Sequence, residues 1–256
     1  MSRLQTLFAQ KNKGILNVYC TAGYPQLDST IPVMHALQQS GADLIELGMP
    51  YSDPLADGPV IQASSLQAID NGMTLVVLFQ QLQHFRDTIT VPVILMGYMN
   101  TALQYGFERF CADAAAAGID GLILPDLPPY EFETEFGAII KKYGLDFIFL
   151  VTPETAPERI QQLDALSTGF IYAVSSSSIT GSDKDFSPVE AYLQRLQEMQ
   201  LRNPILVGFG IKDKYTFDMA CNYANGAIIG SAYIKAIAQT DTIEATTKAF
   251  IDGIRS

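Results

Sequence analysis

Eight short apolar runs recur along the chain, each followed by a longer amphipathic stretch, and this alternation limits the fold more than any other feature. The runs cover 15–21, 44–48, 92–98, 121–125, 147–151, 170–174, 205–207 and 227–230. Each is mostly apolar throughout rather than alternating, the pattern of strands covered on both faces in a parallel sheet. Helices are predicted between them at 29–40, 74–87, 107–117, 131–143, 157–166, 188–199, 214–223 and 242–254. Gly41, Gly118 and Gly144 stand just past three of their ends, and Pro157 stands at the start of another, as helix punctuation requires. Eight βα units in roughly 250 residues match a (β/α)8 barrel, a single domain over 1–256. An open doubly wound sheet is the alternative, but the turn after the first run, Thr21-Ala22-Gly23-Tyr24-Pro25, carries no dinucleotide-binding glycine fingerprint. Two additions are expected: a short helix at 4–10 before the first strand, and another at 60–71 after the second.

Composition narrows the function. Hydrophobic residues make up 48% of the 256 and charged residues 17%, with a net charge of −11. That balance supports a large core and argues against nucleic acid or an anionic membrane as partner. No apolar stretch approaches the ~20 residues of a membrane span, and the N-terminus shows no secretory signal. Cys20, Cys111 and Cys221 are odd in number and widely spaced, which reads as reduced thiols in a cytoplasmic protein. His35 and His84 have no second ligand at metal spacing, and no metal or redox-cofactor motif is visible.

Glu46 interrupts the second apolar run, where a charge is costly without a partner or a task. Asp57 follows in a loop bounded by Pro54 and Pro59. In a barrel of this kind the site lies at the C-terminal ends of the strands, so both acids belong to that mouth, with Tyr19, Met96, Tyr98 and Tyr172 near other strand ends. Glu46 reads either as a hydrogen-bonded interior carboxylate or as a catalytic group, and Asp57 either as a turn residue or as its partner. Two carboxylates in different environments separate their pKa values and divide acid from base work. Glycines at the last two strand exits, Gly208, Gly210 and Gly230, with Ser231 opening a short helix, suit a phosphate. Alternatively, they only turn the chain. The small, polar stretch 175–186 reads as a lid or as a solvated loop.

Together these segments resemble the tryptophan synthase alpha chain family over essentially the whole chain. The strongest match is the segment from Glu46 to Gln62, beginning Glu46-Leu47-Gly48-Met49-Pro50 and including Asp53-Pro54-Leu55-Ala56-Asp57-Gly58-Pro59. Residues 122–128, Ile179-Thr180-Gly181, Gly208-Phe209-Gly210-Ile211 and Gly230-Ser231-Ala232 fall in the family's order. The resemblance implies an aldehyde lyase that cleaves indole-3-glycerol phosphate to indole and glyceraldehyde 3-phosphate in tryptophan biosynthesis. By that likeness Glu46 is the acid/base and Asp57 its partner at the indole nitrogen. Tyr172 lies near the reacting centre, and Thr180 in a lid that closes toward Asp57. Gly181, Phe209, Gly210, Gly230 and Ser231 gather around the phosphate, and Tyr19, Ile61 and Met96 line the indole pocket. It also implies a beta-chain partner in an α2β2 complex, met through Asp53 and its neighbours. No cofactor is expected in this chain; pyridoxal phosphate would belong to the partner. Two departures stand out: serines at 175–178 where many relatives carry an arginine, and Tyr19 in place of phenylalanine.

Overall fold

The computed structural model describes residues 2–174, 187–208, 210–240 and 242–256. Nine parallel strands form one sheet: β1 (Ile15–Thr21), β2 (Leu44–Gly48), β3 (Val93–Met96), β4 (Gly121–Ile123), β5 (Asp146–Phe147), β6 (Leu150–Val151), β7 (Ile171–Val174), β8 (Ile205–Gly208) and β9 (Gly226–Ile229). Their hydrogen-bonded order is β5-β4-β3-β2-β1-β9-β8-β7-β6. Every residue of β1 and β2 is buried, which is why these runs are apolar on both faces.

The two end strands of that order are halves of one extended run, and they close the barrel. β5 pairs with β4 and β6 pairs with β7. Between them Ile148 donates its N–H to the Leu122 carbonyl (3.1 Å), while the Phe149 carbonyl accepts from Tyr172 (3.0 Å). The expected single strand at 147–151 is thus split, its first half bonded to one neighbour and its second to the other. Eight barrel positions result, in agreement with the (β/α)8 expectation.

Side chains two apart along a strand share a face. Leu4, Ile15, Leu44, Ile94, Ile123, Ile148, Phe170, Leu206 and Ile228 meet in one buried cluster in the barrel interior. Leu4 comes from the Arg3–Gln10 helix, whose Ser2 cap makes a reciprocal capping box with Gln5; Phe8 of the same helix lies against Phe170, ring centroids 6.1 Å apart. The expected extra N-terminal helix therefore floors the barrel. Asp43 ties both chain ends to the start of β2, accepting from Lys11 (2.6 Å) and Arg255 (2.7 Å). Arg86 and Arg3 both meet Asp120 just before β4, a stabilising cluster at the face opposite the mouth.

Three helical details differ from expectation. The helix expected over 74–87 ends at Gln81, because His84 takes a left-handed conformation (φ 67°) and a short 3-10 turn, Phe85–Asp87, follows. The one expected over 131–143 is interrupted by a π-helical turn at Phe132–Phe136. The helix Met99–Tyr105 has no counterpart in the sequence pattern. It is only seven residues long, it runs through Gly106 straight into Phe107–Ala117, and its first N–H is held by both oxygens of Asp126 (3.0 Å each).

Strand β9 packs tightly onto β1 at Gly226, where a Cβ would collide with the Ile15 carbonyl carbon and oxygen. Gly226→Ala should therefore lower stability by about 3 kcal/mol, the upper end for overpacking, since backbone must move. Urea unfolding would read this as a lower midpoint at unchanged slope.

Candidate active site

Glu46 sits in the centre of β2, beside Tyr19 of β1 and Ile94 of β3. It is 1% exposed. Its Oε2 accepts a hydrogen bond from Asn17 Nδ2 (3.0 Å). Burial pushes its carboxyl up to about 8; the Asn17 bond pulls the other way, and the nearby Asp57 charge adds to the rise. Glu46 therefore holds its proton at neutral pH and can donate it.

Asp57 is placed by its loop. Gln62, one turn into the Pro59–Asp70 helix, donates back to the Asp57 carbonyl (2.8 Å). Gly58 caps that helix in an extended conformation and Pro59 opens it, where a missing N–H costs nothing. The Ala56 N–H donates to the Tyr98 hydroxyl (3.0 Å), and Tyr98 stacks obliquely on Tyr51 at 5.3 Å. Partial burial lifts the Asp57 carboxyl to about 6, opposed by its hydrogen bond with Tyr98. At neutral pH Asp57 is ionised while Glu46 is not, the separation that one acid and one anion need.

Two tyrosines roof the interior. Each lies over a glycine of the next strand: a Cβ at Gly48 would strike the Tyr19 hydroxyl, and one at Gly208 would strike that of Tyr172. Burial raises both phenols above their ordinary value, and the charges of Glu46 and Asp57 push the same way, so they remain neutral donors. Tyr19 is fixed through Thr21 (3.5 Å), which shares a hydrogen bond with Ser64 (2.7 Å) of the Pro59–Asp70 helix. A methyl group at Gly48 would turn the Tyr19 ring away; Gly48→Ala should cost about 1–3 kcal/mol of stability and roughly tenfold in kcat/KM, measurable by urea unfolding and steady-state rates.

The structure brings Tyr19, Glu46, Ile61, Met96, Tyr172 and Gly230 to this end of the barrel. A Cβ at Gly230 would lie 3.5 Å from both Ile61 Cδ1 and Tyr19 Cβ, and Met96 is paired with Gly48. Gly230 and Ser231 mark the β9 exit, with the short helix expected there running Ser231–Ile237. Gly210, at φ 74°, follows β8. Because Gly208 pairs with Ile228, Gly210 and Gly230 both stand two residues past one rung. Thr180, Gly181, Phe209 and the serines 175–178 lie outside the described residues. Tyr98 gains a specific place, against the Asp57 loop. Asn17 escapes the sequence reading, although it carries the same signal as Glu46: a polar side chain inside an apolar strand. Among the described residues no buried polar side chain is a lysine, and Lys212 is exposed, which argues against a Schiff-base aldolase at this mouth. Among those residues no His, Cys, Asp and Glu side chains cluster as a metal site, and no helix is long and apolar enough to cross a membrane.

A parallel (β/α)8 barrel with a buried glutamate and an aspartate together at its mouth belongs to the class of barrel enzymes whose sites lie at the C-terminal ends of the strands. Comparison with known proteins gives the particular case. Residues 5–253 match the family model described as tryptophan synthase alpha chain. The chain is 53% identical to the tryptophan synthase alpha chain of Flavobacterium johnsoniae over 232 residues, covering 90% of this chain and 92% of that one. It is 48% identical to that of Parabacteroides distasonis, covering 93% of each. Among solved structures it is similar to the alpha subunit from Legionella pneumophila (TM-score 0.90, 35% identity, 100% of this chain and 97% of that one). It is also similar to a tryptophan synthase of M. tuberculosis in its aminoacrylate-bound form (TM-score 0.86, 32% identity, 100% of both chains). The chain belongs to the tryptophan synthase alpha chain family. It is a lyase of tryptophan biosynthesis, and its reaction is the cleavage of indole-3-glycerol phosphate.

Proposed function

We propose that the cleavage runs through Glu46 and Asp57 as a retro-aldol reaction. The observation that carries this is the burial of Glu46 in the middle of β2, with its carboxyl raised to about 8 beside Asp57 at about 6. Glu46 protonates indole C3, leaving an iminium on the ring nitrogen. The Asp57 carboxylate accepts the ring N–H and stabilises that charge. The C–C bond to the glycerol chain then breaks, its electrons restoring the indole double bond. The hydroxyl proton passes to the Glu46 carboxylate as the aldehyde forms, so the acid ends the cycle as it began it. Tyr19, Ile61 and Met96 line the indole pocket, with Tyr172 beside the reacting centre. Gly210, Gly230 and Ser231, with Gly181 and Phe209, hold the phosphate, which supplies binding energy away from the breaking bond. Thr180 belongs to the covering lid.

The test is indole release from indole-3-glycerol phosphate. The kcat/KM profile should be a bell, rising near pH 6 as Asp57 ionises and falling near pH 8 as Glu46 loses its proton; the two midpoints belong to the coupled pair. A flat profile across pH 5–9 would remove the pair from the chemistry.

The partner is a tryptophan synthase beta chain in an α2β2 complex, with pyridoxal phosphate held by that partner, and the enzyme works in the cytoplasm. Leu55, 97% exposed between the two prolines of the Asp57 loop, and the groove of about 500 Å³ beside Tyr51, Met73 and Tyr105 support this loop as the contact face, since a bare leucine tip beside an apolar groove suits a protein partner. Indole release measured with and without a beta chain would test it, and the contact reading fails if Leu55→Asp leaves the rate gain on mixing intact.

A further inference from the structure

We propose that Asn17 is a positioning residue whose side-chain amide follows Glu46 through both of its protonation states, donating to the carboxylate and accepting from the acid. The inference rests on Glu46 as the acid/base group.

Asn17 lies one layer below Glu46 in β1, fully buried. Its in-register neighbours are Leu44 on one side and Ile228 on the other, members of the apolar barrel cluster. A buried amide in such a layer costs free energy unless it is hydrogen-bonded. Its Nδ2 donates to Glu46 Oε2 at 3.0 Å, while its Oδ1 is buried without a hydrogen-bond partner. Half of the amide is thus engaged and the other half idle.

That asymmetry has a chemical use. A carboxylate only accepts, whereas a carboxylic acid has one O–H to donate, and an asparagine amide offers a donor on one side and an acceptor on the other. Rotating the amide by half a turn exchanges Nδ2–H for Oδ1 at the same place. The rotation breaks no bond at Oδ1, because none exists there to break. A glutamate that must give a proton and take one back within each cycle then keeps a hydrogen bond, and its orientation, in both forms. A hydrophobic residue would hold neither form, and an aspartate would repel the anion.

The titratable groups that face Glu46 are Tyr19 on β1, Asp57 in the loop after β2 and Tyr172 on β7; Cys20, on the other face of β1, feels its charge through the strand. Burial pushes Tyr19, Cys20 and Tyr172 upward, and Asp57 stands at about 6. A step near pH 8 inside the barrel therefore belongs to Glu46.

The experiment uses the whole chain. Wild-type protein labelled with 15N-asparagine and 13C-glutamate is titrated from pH 6 to 10, with Asn17→Leu and Glu46→Gln spectra assigning the two signals. The Asn17 side-chain NH2 resonances should move with the same midpoint as the Glu46 carboxyl, and stay still in Glu46→Gln. In Asn17→Leu, which keeps the branched heavy-atom skeleton, the alkaline limb of the rate profile should move to higher pH and kcat fall roughly 10–100-fold, the weight of a charge-assisted hydrogen bond, with KM nearly unchanged. An Asn17 amide that ignores the Glu46 titration overturns the proposal, and so does an Asn17→Leu enzyme with the wild-type profile. Should Asn17→Leu not fold, the Asn17 signal is assigned with Asn17→Ser and the wild-type titration decides. Full activity in Glu46→Gln would instead defeat the acid/base role of Glu46 itself, a separate failure that the same set of proteins reveals.

Discussion

Glu46→Gln should lose about 10²–10⁴-fold in the rate of indole release, the share of a general acid/base, and should become more stable than the wild type at alkaline pH. The second effect follows from burial. The ordinary glutamate value is 4.5 and the folded value about 8. Between those pH values the folded chain holds a proton that the unfolded chain has released. Stability therefore falls as pH rises through this window and levels off above 8. The glutamine amide cannot ionise and escapes that fall. The variant's advantage should vanish below about pH 4 and reach up to ~5 kcal/mol well above pH 8, or roughly 10–20 °C in melting temperature for a chain of this length. Thermal melts of both proteins at pH 4 and pH 9 measure it. A variant that is inactive and no more stable at pH 9 would mean that Glu46 is not a costly buried charge.

Asp57→Asn should lower kcat by about 10²–10³, the loss of one preorganised electrostatic contact, and should be modestly more stable than the wild type above pH 6, because burial raises the Asp57 carboxyl and the amide cannot ionise. Its pH profile separates the two acids. The limb near pH 6 should disappear, since the asparagine amide has nothing to ionise. The alkaline limb should move to lower pH, because the Asp57 charge is one of the causes that raise Glu46. Rates across pH 5–9 check both shifts at once. An alkaline limb that stayed in place would show that the two carboxylates do not interact.

The parts of this fold that were legible are those where local composition and burial coincide. Each apolar run became a strand because a barrel strand is covered on both faces, and Glu46 stood out because a charge there is costly. The closure at Ile148 and Phe149 was not legible, since only the partners of backbone groups reveal that one run serves two neighbours. The break at His84 was hidden because 74–87 keeps a helical stripe while one residue leaves the helical region. Asn17 is hard to see for a different reason. An amide in an apolar strand is a weaker alarm than a carboxylate, and only the hydrogen bond to Glu46 shows what it is there for. The phosphate-side residues reached only as far as two strand exits, because a glycine that turns the chain and a glycine that admits a phosphate look alike in sequence.

Leu4 and Phe8, wedged beneath the strands by the N-terminal helix, fill the base of the barrel with apolar side chains. An apolar layer beneath Glu46 makes it costly for water to reach the carboxyl from below. A leak opened in the base, for instance by trimming Leu4 and Phe8 to alanine, would let solvent compete for a proton that otherwise travels only between the glutamate and the molecule it is cutting.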